Sequence, residues 1–173
     1  MKKKVVKIYN KSNNDLPGYS TELSAGFDIR ADLSKFEHGN GYGEGYFVSV
    51  VDGEEKTLAL SPGGHRVLIP TGLHVSIPDG YELQIRPRSG LALKNGITVL
   101  NSPGTIECDY LGEIGLIVIN TDPNKYFSIK HGDRLAQGIL NEVEQVIWEK
   151  VESLDGLGET DRGSGGFGHT GKN

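Results

Sequence analysis

Two carboxylates flank the only cysteine of the chain: Glu107 and Asp109 stand on either side of Cys108, and Tyr110 follows. An ionised carboxylate at a surface can take a proton from water. A tyrosine beside it offers a flat ring with a polar tip. Upstream, Asn101, Ser102, Pro103 and Gly104 are turn residues. Apolar runs at 97–100 and 114–119 bracket the stretch. The pattern predicts a β-hairpin over 101–113 with a polar tip. Such a tip is either an ordinary solvated turn or a surface of backbone N–H and C=O groups that reads a flat ring.

A second group is cationic. Arg86, Pro87, Arg88, Ser89 and Gly90 lead into a short predicted helix at 91–94, with Ser89 as its N-cap. A helix start with free N–H groups, a hydroxyl and two guanidinium groups suits an anion. A capped helix with surface arginines fits the same residues. A third candidate is Asp28, set between Phe27 and Ile29, which point the other way on a period of two. It is either a paired structural carboxylate, which the residues alone favour, or one that faces a metal. The last is the tail from Arg162, with Phe167, Gly168 and His169 in a field of glycines. It cannot build a core. It is either a disordered end or an arm that orders on a ligand, with Arg162 at an anion and Phe167 over a ring.

The elements that must position these groups are short strands. Alternation or apolar runs predict strands at 3–9, 47–51, 56–60, 65–70, 73–77, 81–86, 126–129, 134–140 and 145–151. Turns fall at Asp52-Gly53, Thr71-Gly72, residues 78–80 and residues 131–133. In the 73–77 piece Leu73, Val75 and Ile77 share a face, and in the next Leu83 and Ile85 point inward. Ala25 and Gly26 are small enough for a close backbone approach. Residues 36–57, rich in glycine and dotted with aromatics, read as an inserted surface β-excursion. Many short strands with one short helix predict an all-β sandwich or jelly roll.

Composition narrows the function classes. The 173 residues fit one domain with a real core. A net charge of -5 argues against general nucleic-acid binding. No apolar run approaches the length of a membrane span, and the start shows no signal-peptide block, so a cytoplasmic location without membrane attachment is expected. A single cysteine rules out an internal disulfide and fits a reducing compartment. The five histidines have no zinc-ligand spacing, and no phosphate-binding glycine loop follows a strand.

Taken together, the pieces resemble the trimeric deoxyuridine triphosphatases (dUTPases). Five motifs of that family occur in order: residues 19–31, residues 86–92 (Arg-Pro-Arg-Ser-Gly-Leu-Ala), residues 104–113 (Gly-Thr-Ile-Glu-Cys-Asp-Tyr-Leu-Gly-Glu), residues 132–137 (Gly-Asp-Arg-Leu-Ala-Gln) and the tail from Arg162. The resemblance covers the chain except 36–57. It implies a distorted jelly-roll β-barrel over 1–155, an arm over 156–173, and a homotrimer with active sites between subunits. It implies hydrolysis of dUTP to dUMP and pyrophosphate, which limits uracil in DNA and supplies dUMP for dTTP synthesis. Asn101 and the backbone of Gly104, Thr105 and Ile106 would read uracil. Tyr110 would lie under the deoxyribose and exclude a 2′-hydroxyl. Arg88, Ser89, Gly90 and Gln137 would hold phosphate oxygens. Arg162, Phe167, Gly168 and His169 would close over the nucleotide. Mg²⁺ would bind the three phosphates, with Asp28 reaching it through water.

The sequence departs from the family where it matters most. The family's water-activating base is an aspartate directly after the Ile of the third motif, and here that position is Glu107. An extra methylene shifts the carboxylate by roughly 1 Å, enough to cost about 10²-fold in rate unless the backbone compensates. Glu107 is the expected base and Asp109 the second choice, because strand alternation should aim Asp109 the other way from Cys108 rather than at the water. His169 stands where the tail often carries a small hydroxyl residue. Two alternatives remain: a dCTP deaminase-like enzyme, a family of similar fold with a glutamate base, and a nucleotide-binding module with weakened catalysis.

Overall fold

A computed structural model of the chain describes residues 3–37, 43–51 and 55–166. It divides into two compact units, residues 1–143 and 144–173. The first unit is built from strands β1 (Lys7–Asn10), β2 (Phe27–Arg30), β3 (Gly43–Glu44), β4 (Tyr46–Val51), β5 (Glu55–Leu60), β6 (Arg66–Pro70), β7 (Leu73–Ser76) and β8 (Tyr81–Pro87). Helix α1 (Ser89–Asn95) follows, then β9 (Ile97–Val99), β10 (Gly104–Ile106), β11 (Gly115–Asn120), β12 (Phe127–Lys130) and β13 (Arg134–Glu142). Among the described residues these form four sheets, ordered β1-β7, β10-β8-β13-β2, β3-β6-β11-β9 and β12-β5-β4. Every pairing is antiparallel. The arrangement is all-β and jelly-roll-like with one α-helix, as expected, although strand pairing does not close it into a barrel.

Alternation explains which face of each strand turns inward. Leu73, Val75 and Ile77 are buried together, as are Leu83 and Ile85. Val67 and Ile69 in β6 and Leu116 and Val118 in β11 face the same core. Each such apolar side chain contributes about 1.5–3 kcal/mol on leaving water. The excursion at 36–57 is less superficial than its composition suggests. Phe36 and Tyr46 are buried, with ring centroids 5.8 Å apart, while Phe47 is exposed. The predicted turn at Asp52-Gly53 lies outside the described residues.

Three local expectations are corrected. Residues 101–113 are not the tip of a simple hairpin. β9 and β11 do pair, with Val99 opposite Val118, but between them the chain crosses to another sheet. There β10 pairs with β8, Gly104 opposite Ile85. A three-residue strand paired across sheets leaves no local pattern to read. Ser89 is not the N-cap: the helix begins with it, Arg88 holds the cap position, and no side chain caps the first turn. The predicted strand at 145–151 does not form.

The second unit contains a 3-10 turn at Leu154–Leu157 and tight turns over 160–165. Ile147 and Trp148 in its early part are exposed. The strand reading failed because alternation marks apolar residues without supplying a partner edge.

Candidate functional site

The sheet β10-β8-β13-β2 carries one piece of each of the first four sequence motifs. The outward face of β8 is a polar row. Gln84 Nε2 donates to Glu82 Oε1 at 2.6 Å, and Arg86 donates from Nε and Nη2 to Gln84 Oε1 at 3.1 and 2.6 Å. Beside it on β13, Gln137 lies opposite Arg86 on one side and Asp28 on the other. Its amide donates to the Pro87 carbonyl at 3.0 Å. That bond fixes the exit of β8 just before Arg88.

Asp28 lies between two guanidinium groups. Its Oδ1 is 3.0 Å from Arg88 Nε, and its Oδ2 is 3.0 Å from Arg134 Nη1. Arg88 also donates from Nη1 to the Arg134 carbonyl at 2.9 Å. The three side chains together carry one net positive charge. The position of Arg134 depends on an irregularity. The β13–β2 register shifts between Arg134 and Ala136, so Arg134 lies opposite Arg30 while Gln137 lies opposite Asp28. In a regular strand, residues three apart face opposite ways. The bulge turns Arg134 onto the Asp28 face. Reading by alternation missed Arg134. The available signal was its place inside the 132–137 motif, three residues before Gln137.

Gly26 meets the same strand. A Cβ there would lie 2.8 Å from Gln137 Oε1 and 3.4 Å from the Gly138 carbonyl. The close approach expected at Gly26 is therefore to β13. Ser89 and Gly90 follow Arg88 on the exposed first turn of α1, with open space where a Gly90 Cβ would be.

The second group lies around β10. Gly104 is buried, and a Cβ added to it would meet the Asn101 amide nitrogen at 3.1 Å. The Ser102–Pro103 bond between them is cis. Thr105 is exposed and Ile106 half-buried against the core. The strand stops at Ile106, so the two carboxylates that follow lie beyond its alternation. Glu107 and Asp109 are both exposed, and Cys108 between them packs on the core. The Tyr110 N–H closes a turn onto the Glu107 carbonyl at 3.2 Å. The Tyr110 ring folds back over Gly112, where a Cβ would lie 2.4 Å from the hydroxyl. That hydroxyl donates to the Glu113 carbonyl at 3.0 Å.

Glu113 is a further residue that sequence reading passed over. Its Oε2 is 2.6 Å from Lys11 Nζ, and its Oε1 accepts the Gly72 N–H at 2.8 Å. Burial pushes its carboxyl up, but the bonds from Lys11 and Gly72 outweigh this and hold it below its ordinary value. The bond to Glu113 raises the Lys11 ammonium in turn.

Among the described residues, no hydrogen bond or ion pair joins Glu107 or Tyr110 to Asp28, Arg88 or Gln137. Nor do three His, Cys, Asp or Glu side chains gather into a metal cage. In the second unit Arg162 donates from Nε to the Gly165 carbonyl at 2.8 Å. Phe167, Gly168 and His169 lie outside the described residues. No described helix is long and apolar enough to cross a membrane.

The profile of the dUTPase family matches residues 54–171. A protein of Fusobacterium nucleatum named deoxyuridine 5′-triphosphate nucleotidohydrolase is 45% identical over 172 residues, spanning 99% of this chain and 100% of that one. A protein of the same name from Finegoldia magna is 48% identical over 166 residues, 96% of this chain and 98% of its own. Among solved structures, the Staphylococcus bacteriophage 80alpha dUTPase with dUPNHPP superposes with a TM-score of 0.73 at 21% identity, over 98% of this chain and 99% of that one. A mutant dUTPase of phage phi11 of S. aureus, described as coordinating a structural Mg(II) ion, gives 0.65 at 19% identity, over 88% and 99%. At such identities the likeness shows the fold alone.

Proposed function

The chain belongs to the dUTPase family, and from that membership we propose that it hydrolyses dUTP to dUMP and pyrophosphate. One observation carries the reading. Four motifs far apart in sequence become four neighbouring strands of one sheet, β10-β8-β13-β2. The strands that lead to the proposed phosphate-holding and base-reading groups thus belong to one hydrogen-bonded sheet.

Asn101 and the backbone of Gly104, Thr105 and Ile106 read the uracil edge. Tyr110 lies under the deoxyribose. Arg88, Ser89, Gly90 and Gln137 hold phosphate oxygens, and Asp28 with Arg134 keeps Arg88 in place. Glu107 takes a proton from the water that attacks phosphorus. No covalent nucleophile is needed, so the protein supplies a base, positioning and charge stabilisation. Arg162, Phe167, Gly168 and His169 close over the nucleotide and exclude water. In the cell the reaction keeps uracil out of DNA and supplies dUMP for dTTP synthesis.

Mg²⁺ fits this site as an ion carried by the triphosphate. Both Asp28 oxygens are engaged by arginines at 3.0 Å, which leaves lone pairs for water but makes a poor direct ligand. When bound, the ion offsets phosphate charge and holds the triphosphate in one shape. Asp28 would reach it through water.

We propose a homotrimer. Among the described residues no hydrogen bond or ion pair joins Glu107 or Tyr110 to Asp28, Arg88 or Gln137, which supports a site that a neighbouring chain completes. Glu107 supports a second reading, a nucleotide binder with weakened catalysis. Incubation with dUTP and Mg²⁺ separates the two. The hydrolase releases pyrophosphate stoichiometrically with dUMP. Tight dUTP binding with no release above background overturns it in favour of the binder.

A further inference from the structure

We propose that Lys11 and Glu113 are positioning residues for Tyr110, and that through it they set how strongly the protein prefers deoxyribose over ribose. The proposal rests on the reading of Tyr110 as the surface under the sugar.

Residues 107–113 belong to no strand. Within the stretch, the described bonds are Tyr110 N–H to the Glu107 carbonyl and Tyr110 hydroxyl to the Glu113 carbonyl. Tyr110 is 45% exposed, so core packing does not hold its ring. Glu113 holds it at one remove. Its carbonyl takes the Tyr110 hydroxyl, while its carboxylate is fixed at both oxygens, by Lys11 Nζ at 2.6 Å and by Gly72 N–H at 2.8 Å.

The anchor is itself rigid. Gly72 has φ +70°, and a Cβ there would lie 2.7 Å from Ser12 Cβ. Its carbonyl accepts the Lys11 N–H at 2.9 Å. Lys11 therefore grips the β6–β7 turn with its backbone and the tyrosine loop with its side chain. On either side of Glu113, Leu111 O lies 2.9 Å from His74 Nδ1, and Ile114 O accepts the Thr71 hydroxyl at 2.6 Å. Those bonds keep the loop docked when the ion pair is removed. What the pair adds is the exact seat of the Glu113 carbonyl, and with it the tyrosine hydroxyl. Apolar contact alone rejects an added hydroxyl poorly. Rejecting a 2′-hydroxyl by contact thus depends on a ring that cannot move aside.

The test compares kcat/KM for dUTP and for UTP, with Mg²⁺, in Lys11→Met, Lys11→Arg, Glu113→Gln and Tyr110→Phe. Lys11→Met and Glu113→Gln lower the dUTP/UTP ratio by about tenfold, and Lys11→Arg keeps it within about twofold. Tyr110→Phe, which lacks the hydroxyl held by Glu113, lowers it similarly. Adding Lys11→Met to Tyr110→Phe changes the ratio by less than about twofold more, because both act through one contact. Circular dichroism checks the fold. If Glu113→Gln does not fold, Lys11→Met carries the test, since its side chain is 44% exposed. An unchanged ratio in folded Lys11→Met, or full additivity with Tyr110→Phe, overturns the proposal. Failure of the wild-type protein to turn over dUTP overturns instead the reading beneath it.

Discussion

Glu107 is the proposed base. It is exposed at the end of β10, and its carbonyl is bound into a turn with Tyr110. The turn fixes the backbone and leaves the carboxylate free. Replacing it with glutamine removes the base while keeping the shape. Glu107→Gln should lower kcat by about 10²–10⁴-fold with little change in KM, measured by pyrophosphate release. Glu113, six residues on, has a different task, and pH exposes it. Its carboxyl lies below the ordinary 4.5, so its contribution to stability is present above that value and is lost as pH falls through the lowered one. Lys11 lies above 10.5, so its contribution is present below that value and is lost as pH rises through the raised one. The Tm gap between wild type and Lys11→Met should be level from about pH 5 to pH 10 and narrow at both ends. With Lys11 nearly half exposed, the gap should not exceed about 4 °C.

The elements show what a sequence reveals about a fold and what it withholds. Strands with one buried face, such as β7 and β8, were legible because their side chains alternate and their burial follows. The motif residues were legible because each motif is contiguous. The bulge at Leu135 was not, since it exists only in the pairing of β13 with β2, more than a hundred residues away in sequence. The Asp28–Arg88–Arg134 cluster was hidden with it. The path of β10 into a second sheet was hidden for the same reason, and 145–151 misled because alternation without a partner edge is not a strand. The β13–β2 contact is also a tight one. A Cβ at Gly138 would lie 2.6 Å from the Phe27 ring and 3.2 Å from Leu83. Gly138→Ala should destabilise the protein by about 1–3 kcal/mol, read from urea denaturation. Activity per folded molecule should fall too, because Gln137 and Asp28 flank that contact.

For the whole molecule, the proposed trimer makes assembly a functional variable. Glu107→Gln removes the proposed base and Arg88→Ala a proposed phosphate contact, so each variant alone should be nearly inactive. If a neighbour completes each site, co-refolding the two variants should restore part of the wild-type rate, whereas each refolded alone should not. Sedimentation should give three times the 18.7 kDa chain mass. The second unit has a practical consequence for such measurements. Trp148, the only tryptophan, is 88% exposed on the segment that follows β13. Its emission reports the surroundings of that segment, whereas far-ultraviolet dichroism reports the strands. An unfolding curve followed at this fluorophore and one followed by far-ultraviolet dichroism are therefore two different experiments, and a mismatch between them is expected even when the β unit melts in one step.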